Sequence, residues 1–199
     1  MTQKGIRKIG LVCCLLLLGF WTASQAAAQN LTPYEALKDP RISPKAHQKM
    51  LVVDAKGDPN VVGQQAFSKL FSTFFRIPGV KMAPPRARWL NPPTDPKSEW
   101  IGLFALPLPE TVSALPEGIE GARIETWKYG EVAEILHIGP YSEEGPAIER
   151  LFDFIATEGY VISGPHEEEY LKSPGMGNIS PSEYQTIIRY AVSKKNQSR

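Results

Sequence analysis

The sequence predicts an α+β fold made of two β-α-β-β halves related by a pseudo-twofold axis. Each half carries one long helix over antiparallel strands, and a central groove lies between them. Three observations predict this. Phe67, Leu70, Phe71 and Phe74 follow the i, i+3, i+4, i+7 spacing of one buried helical face, as do Ile148, Leu151, Phe152 and Ile155. Every member of the second stripe stands 81 positions after its counterpart in the first. Strand-like segments flank both stripes in the same order, which reads as an internal repeat.

From the N-terminus, Lys4, Arg7 and Lys8 precede an uncharged run from Leu11 to Trp21, and Ala23, Ser24, Ala26, Ala27 and Ala28 follow. A basic start, a short apolar core and small residues read as an export signal over residues 1–28, cleaved before Gln29. The run is shorter than the roughly 20 residues that cross a bilayer. No stable membrane span is therefore expected after cleavage, and the periplasm is the expected compartment. Both cysteines, Cys13 and Cys14, lie in the signal, so disulfides and thiol catalysis are not expected in the mature chain. Without Lys4, Arg7 and Lys8 the basic residues number 19 against 21 acidic ones. That balance supplies no basic field for nucleic acid.

Residues 29–46 are polar and punctuated by Pro33, Pro40 and Pro44, which reads as an extended arm. The domain is expected over 47–192, with halves at 47–108 and 121–192, followed by a polar tail at 193–199. In the first half, a strand from Met50 to Ala55 leads to a helix from Asn60, taken as N-cap, to Phe75. Strands follow over Arg86 to Leu90 and Glu99 to Leu108. The second half repeats this with Val132 to His137, a helix from Ser142 to Glu158, Glu167 to Leu171, and Glu183 to Val192. Glu143 and Glu144 suit the positive end of the second helix, and Gly159 suits the position after its last turn. An additional strand, Arg123 to Trp127, is expected to form a hairpin with Val132 to His137 through Lys128 to Glu131.

The second half holds His137-Ile138-Gly139-Pro140-Tyr141, an amphipathic helix, then Glu168-Glu169-Tyr170-Leu171 and Thr186-Ile187-Ile188-Arg189-Tyr190, in that order. This series resembles the GyrI-like small-molecule-binding domain, also the effector-binding half of some multidrug-sensing transcription regulators. The resemblance covers residues 121–192 and reaches the first half through the repeat. It implies the pseudo-twofold α+β fold and an aromatic groove with one carboxylate. A more distant likeness is to haem-binding proteins of the SOUL type.

Strand alternation puts His166, Glu168 and Tyr170 on one face, and Glu167, Glu169 and Leu171 on the other. In the family the Glu of the Glu-x-Tyr-Leu strand faces the groove, which gives that role to Glu168. Glu169 then occupies a position that is usually apolar, a departure from the pattern. Tyr170, Tyr141, Trp89, Trp127, Tyr190 and Trp100 are the candidate aromatic walls. A carboxylate among rings favours hydrophobic cations, because ring faces add cation–π attraction. By offset, Glu168 and Tyr170 correspond to Ala87 and Trp89, which implies a groove acidic at one end and aromatic at the other. Lys172 to Gly177 departs from the family's usual continuation, so no family contact is carried over there.

His166 and Glu168 could ligate a metal, but two ligands on one strand are too few and no third is evident, so no metal site is expected. His137 reads as a packed histidine. No haem-attachment signature occurs, so no cofactor is expected, with haem kept as a lesser alternative. The leading functional expectation is an exported binding protein that sequesters a hydrophobic or aromatic, cationic small molecule. One alternative is a hydrolase of strained electrophiles with Glu168 as general base and Tyr170 as acid, a role the family resemblance implies. A second is an envelope protein-interaction module that uses the arm. The sequence leaves the oligomeric state open.

Overall fold

The computed structural model describes residues 34–92 and 94–195. The expected export signal, the start of the arm and the last residues of the tail lie outside the described residues. The first half comprises β2 (Gln48–Lys56), α1 (Pro59–Phe74), β3 (Arg86–Trp89) and β4 (Ile101–Pro107). The second comprises β6 (Glu131–Ile138), α2 (Gly145–Thr157), β7 (Tyr160–Lys172) and β8 (Gln185–Lys194). With β1 (Arg41–Pro44) and β5 (Arg123–Trp127) they form one eight-stranded antiparallel sheet in the order β1-β6-β8-β7-β3-β4-β2-β5. The two β-α-β-β units meet at the β3–β7 seam, where Ala87 lies directly opposite Glu168 and Trp89 opposite His166.

Helix α1 starts one residue before the expected Asn60. Pro59, whose missing N–H is no loss in a first turn, occupies the start, and the Asp58 carboxylate accepts the Asn60 amide at 2.9 Å. Helix α2 starts at Gly145 instead of Ser142, because Tyr141–Glu143 form a separate 3₁₀ turn. Both helices pack on one sheet face. Leu70 and Phe74 bury against Leu51, Val53, Phe104 and Leu106, while Leu151 and Ile155 bury against Ala133, Ile135 and Ile188. Each such side chain contributes about 1.5–3 kcal/mol.

Two expectations are overturned. Arg123–Trp127 does not form a hairpin with β6. It pairs with β2 along the opposite edge, Gln48 facing Trp127 and Val52 facing Arg123. In a flat sheet β5 and β6 would stand six strand spacings apart, about 29 Å. The three residues 128–130 span at most about 15 Å. The sheet therefore curls, with the helices outside and the helix-free face inside. Contacts across that concave face agree: Tyr129 donates to Glu167 at 2.8 Å, and the Arg88 guanidinium lies 3.9 Å from the Trp127 ring centroid.

The second correction concerns the arm. Residues Glu35–Lys38 form a 3₁₀ turn, and β1 pairs with β6 as an edge strand. Leu37 is fully buried against Leu136 and Ile187, so this part of the arm belongs to the domain.

Candidate functional site

The side chains of β7 alternate across the sheet. His166, Glu168 and Tyr170 lie on the helix-bearing face, in the cleft between α1 and α2, and Glu167 and Glu169 on the concave face. Glu168 is almost enclosed, with 12% of its side-chain surface exposed. His166 Nε2 lies 2.8 Å from Glu168 Oε1, Tyr170 O–H donates to Oε2, and Tyr190 Oη lies 2.6 Å from His166 Nδ1. A neutral imidazole accepts from Tyr190 at Nδ1 and donates from Nε2 to the carboxylate, while a protonated one donates at both nitrogens and adds its charge. Burial alone would raise the Glu168 pKa. The His166 hydrogen bond and its attraction, then the Tyr170 and Trp89 donors, outweigh burial and hold Glu168 below the usual carboxylate range. Among the described residues no lysine or arginine forms an ion pair with it.

Rings close around this carboxylate. Tyr170 meets Tyr141 at 5.6 Å and Phe67 of α1 at 5.6 Å between centroids, while Tyr190 meets Phe152 of α2 at 5.2 Å. Each helix thus turns the inner flank of its apolar stripe toward the cleft. Trp89 meets Phe104 edge to face at 5.5 Å and Trp100 at a tilt at 5.8 Å between centroids. Gly139 delivers Tyr141: its φ of +139° lets β6 end in a sharp turn, so that Pro140 and Tyr141 are directed back over the sheet.

Glu168, Tyr170, Tyr141, Tyr190 and Trp89 come together, with Trp100 one ring further out. Trp127 is placed elsewhere, on the concave face beside Arg88. Glu168 and Trp89 lie on the same face of the sheet. Ala87, directly across from Glu168, has too little bulk to separate the carboxylate from the Trp89 indole, so the acid sits among the rings.

Sequence reasoning missed Glu144. In the sequence it is an ordinary acidic residue at a helix start, yet it is 7% exposed and its Oε1 has no partner among the described residues. One ligand atom each from Glu144, His166 and Glu168 lie within 4.8 Å of one another. The third metal-capable group that the sequence did not reveal is therefore present, carried in by the turn before α2. Burial, then the charge of Glu168, pushes Glu144 up to about 9. Within the pair Glu168, with its hydrogen-bond donors, is the more acidic carboxyl and Glu144 the less acidic one. His137 is packed, its Nε2 3.1 Å from the Pro140 carbonyl.

The profile of the GyrI-like small molecule binding domain matches residues 38–191. No curated protein sequence matches the chain. Among solved structures it is similar to a hydrolase from Listeria innocua, at 21% identity and a TM-score of 0.65 over 78% of this chain and 92% of that one. It is also similar to the C-terminal domain of EcmrR, at 12% identity and a TM-score of 0.64 over 78% and 97% of the two chains. A third similar structure is SAV2435 bound to tetraphenylphosphonium, at 12% identity and a TM-score of 0.52 over 78% and 94%. At these identities the structures speak for the fold, while the profile spans most of the chain: this protein belongs to the family of GyrI-like small-molecule-binding domains.

Proposed function

We propose that the protein is an exported binding protein that holds a hydrophobic or aromatic cation in the cleft between α1 and α2, with Glu168 as the counter-ion. The observation that carries this reading is a nearly enclosed carboxylate, held below the usual carboxylate range, that has ring neighbours, His166 beside it, and no lysine or arginine partner among the described residues. An organic cation supplies the missing positive charge, and its apolar body gains ring contacts and cation–π attraction that a hydrated metal ion or ammonium would not. SAV2435, with the same fold, holds tetraphenylphosphonium. A thermal-shift screen against hydrophobic cations, haem and reactive electrophiles tests the proposal, since a ligand that binds only the folded state raises its stability by RT ln(1 + [L]/Kd). A cation that stabilises wild type but not Glu168→Gln supports it; no shift with any cation counts against it.

A hydrolase is the second reading, favoured by the Glu144–Glu168 pair. Glu168 would take a proton from water as its oxygen attacks a strained-ring carbon, and Glu144 or Tyr170 would give a proton to the leaving atom. The Listeria innocua hydrolase shares the fold. Turnover of an electrophile that Glu168→Gln abolishes while binding persists would establish this reading over simple sequestration.

A further inference from the structure

On the concave face, away from Glu168, the chain builds a second cluster of buried charge around a cavity of about 380 Å³. Its charged lining is Arg41, Lys45, Arg86 and Arg189 against Glu134 and Glu169, an excess of cations in a confined space. Arg189 takes most of the acidic capacity, donating to Glu134, to Glu167 deeper in the sheet, and to Glu169 at 2.9 Å. The remaining cations are left short. Lys45 Nζ reaches Glu134 only at 4.0 Å and otherwise lies over the Tyr129 ring, 5.5 Å from its centroid. Arg86 Nη1 donates to the Tyr129 hydroxyl at 3.1 Å, while its Nε lies 3.1 Å from Glu169 Oε2 as an ion pair without a hydrogen bond among the described residues. Burial, then repulsion from Arg189 and Arg86, lowers the Lys45 pKa, as expected of an ammonium without enough counter-charge.

The remaining wall is apolar. Tyr34, Leu37 and Pro44 come from the arm, and Ile187 from β8. The arm thus roofs a cavity with cationic groups on one side and hydrocarbon on the other, and its size falls in the range of small-molecule sites. We propose that this cavity is a second binding site, for an organic anion with an apolar body, whose carboxylate or phosphate head meets Lys45, Arg86 and Arg41 while its body lies against Leu37 and Ile187. The site is independent of the Glu168 cleft and of the function proposed for it. One strand carries both chemistries: alternation along β7 sends Glu168 to the cation cleft and Glu169 to the anion cavity.

Titration calorimetry of the full protein with octanoate, octyl phosphate, octanol and inorganic phosphate tests this. Octanoate or octyl phosphate should bind at least tenfold more tightly than octanol or inorganic phosphate, and the tighter of the two identifies the head group. Lys45→Met should weaken that binding at least tenfold, and Arg41→Ala, at the half-exposed rim, should weaken it without threatening the fold. Glu168→Gln should leave it unchanged. Octanoate and octyl phosphate both failing to bind wild type, or binding equally well to Lys45→Met and Arg41→Ala, would overturn the proposal. Inorganic phosphate binding as tightly as the octyl ligands would overturn the role of the apolar wall. Loss of tetraphenylphosphonium binding with octanoate binding retained would count against the Glu168 reading alone.

Discussion

Glu167 and Glu168 are adjacent in the chain but occupy opposite faces of the sheet and opposite electrostatic settings. Glu167 is met by Arg88 at 2.8 Å, by Arg189 and by the Tyr129 hydroxyl, whereas Glu168 is met by His166, Tyr170 and the Trp89 indole. The first carboxylate is saturated by guanidinium groups and serves the fold. The second has no lysine or arginine beside it among the described residues, and it is the one proposed to meet a ligand.

The saturated side makes stability depend on Arg189. Its guanidinium is 2% exposed and pairs with Glu134, Glu167 and Glu169. Arg189→Ala would leave buried carboxylates uncompensated, and a loss of about 3–5 kcal/mol is expected. Urea unfolding measures it; a loss below about 1 kcal/mol would show that water replaces the arginine.

Glu144 gives a pH signature. Burial, then the charge of Glu168, pushes its carboxyl up from the usual 4.5 to about 9. A raised carboxylate stabilises the fold fully below the unfolded pKa, and this contribution is lost as pH rises through the folded value. Wild-type Tm should therefore fall between about pH 4.5 and 9 more than that of Glu144→Gln, which has no proton to lose. Parallel Tm–pH curves for the two proteins would show that Glu144 is ordinarily ionised.

Gly102 couples packing to the site. A Cβ there would stand 2.5 Å from Trp89 Cζ3 and 2.8 Å from Phe104 Cε2. Gly102→Ala must displace the indole, with an expected overpacking cost of about 1–3 kcal/mol. Weaker cation binding should accompany the lower Tm, and a variant with unchanged affinity would remove Trp89 from the site.

Deleting residues 34–45 tests the arm. The deletion removes β1 and the fully buried Leu37, uncovers Leu136 and Ile187, and opens the Arg189 network. A marked fall in Tm is expected, where removal of a loosely attached arm would leave Tm unchanged.

The sequence made some of these features legible and hid others for physical reasons. The two helices were readable because burial imposes a 3.6-residue period on Leu70, Phe74, Leu151 and Ile155. The faces of β7 were readable because strand alternation leaves no choice of side once one residue is placed. Sheet curvature has no such local signature. A three-residue connection after Trp127 looks like a hairpin, and only the curl allows it to join opposite ends of the strand order. The same curl sends Trp127 away from the cleft. The ion pairs of Glu167 and Glu169 were not legible because their partners Arg86, Arg88 and Arg189 stand on other strands and meet them only through the sheet register. Glu144 was hidden because acidic residues at helix starts are common, and only the turn at Gly139 directs this one inward.

Titration calorimetry with tetraphenylphosphonium, on wild type and Glu168→Gln side by side, tests the central claim most directly. Saturable binding by wild type, weakened at least about tenfold in the variant, or about 1.4 kcal/mol, is the predicted result. Equal affinity in the two proteins, or none in either, would contradict the role given to Glu168.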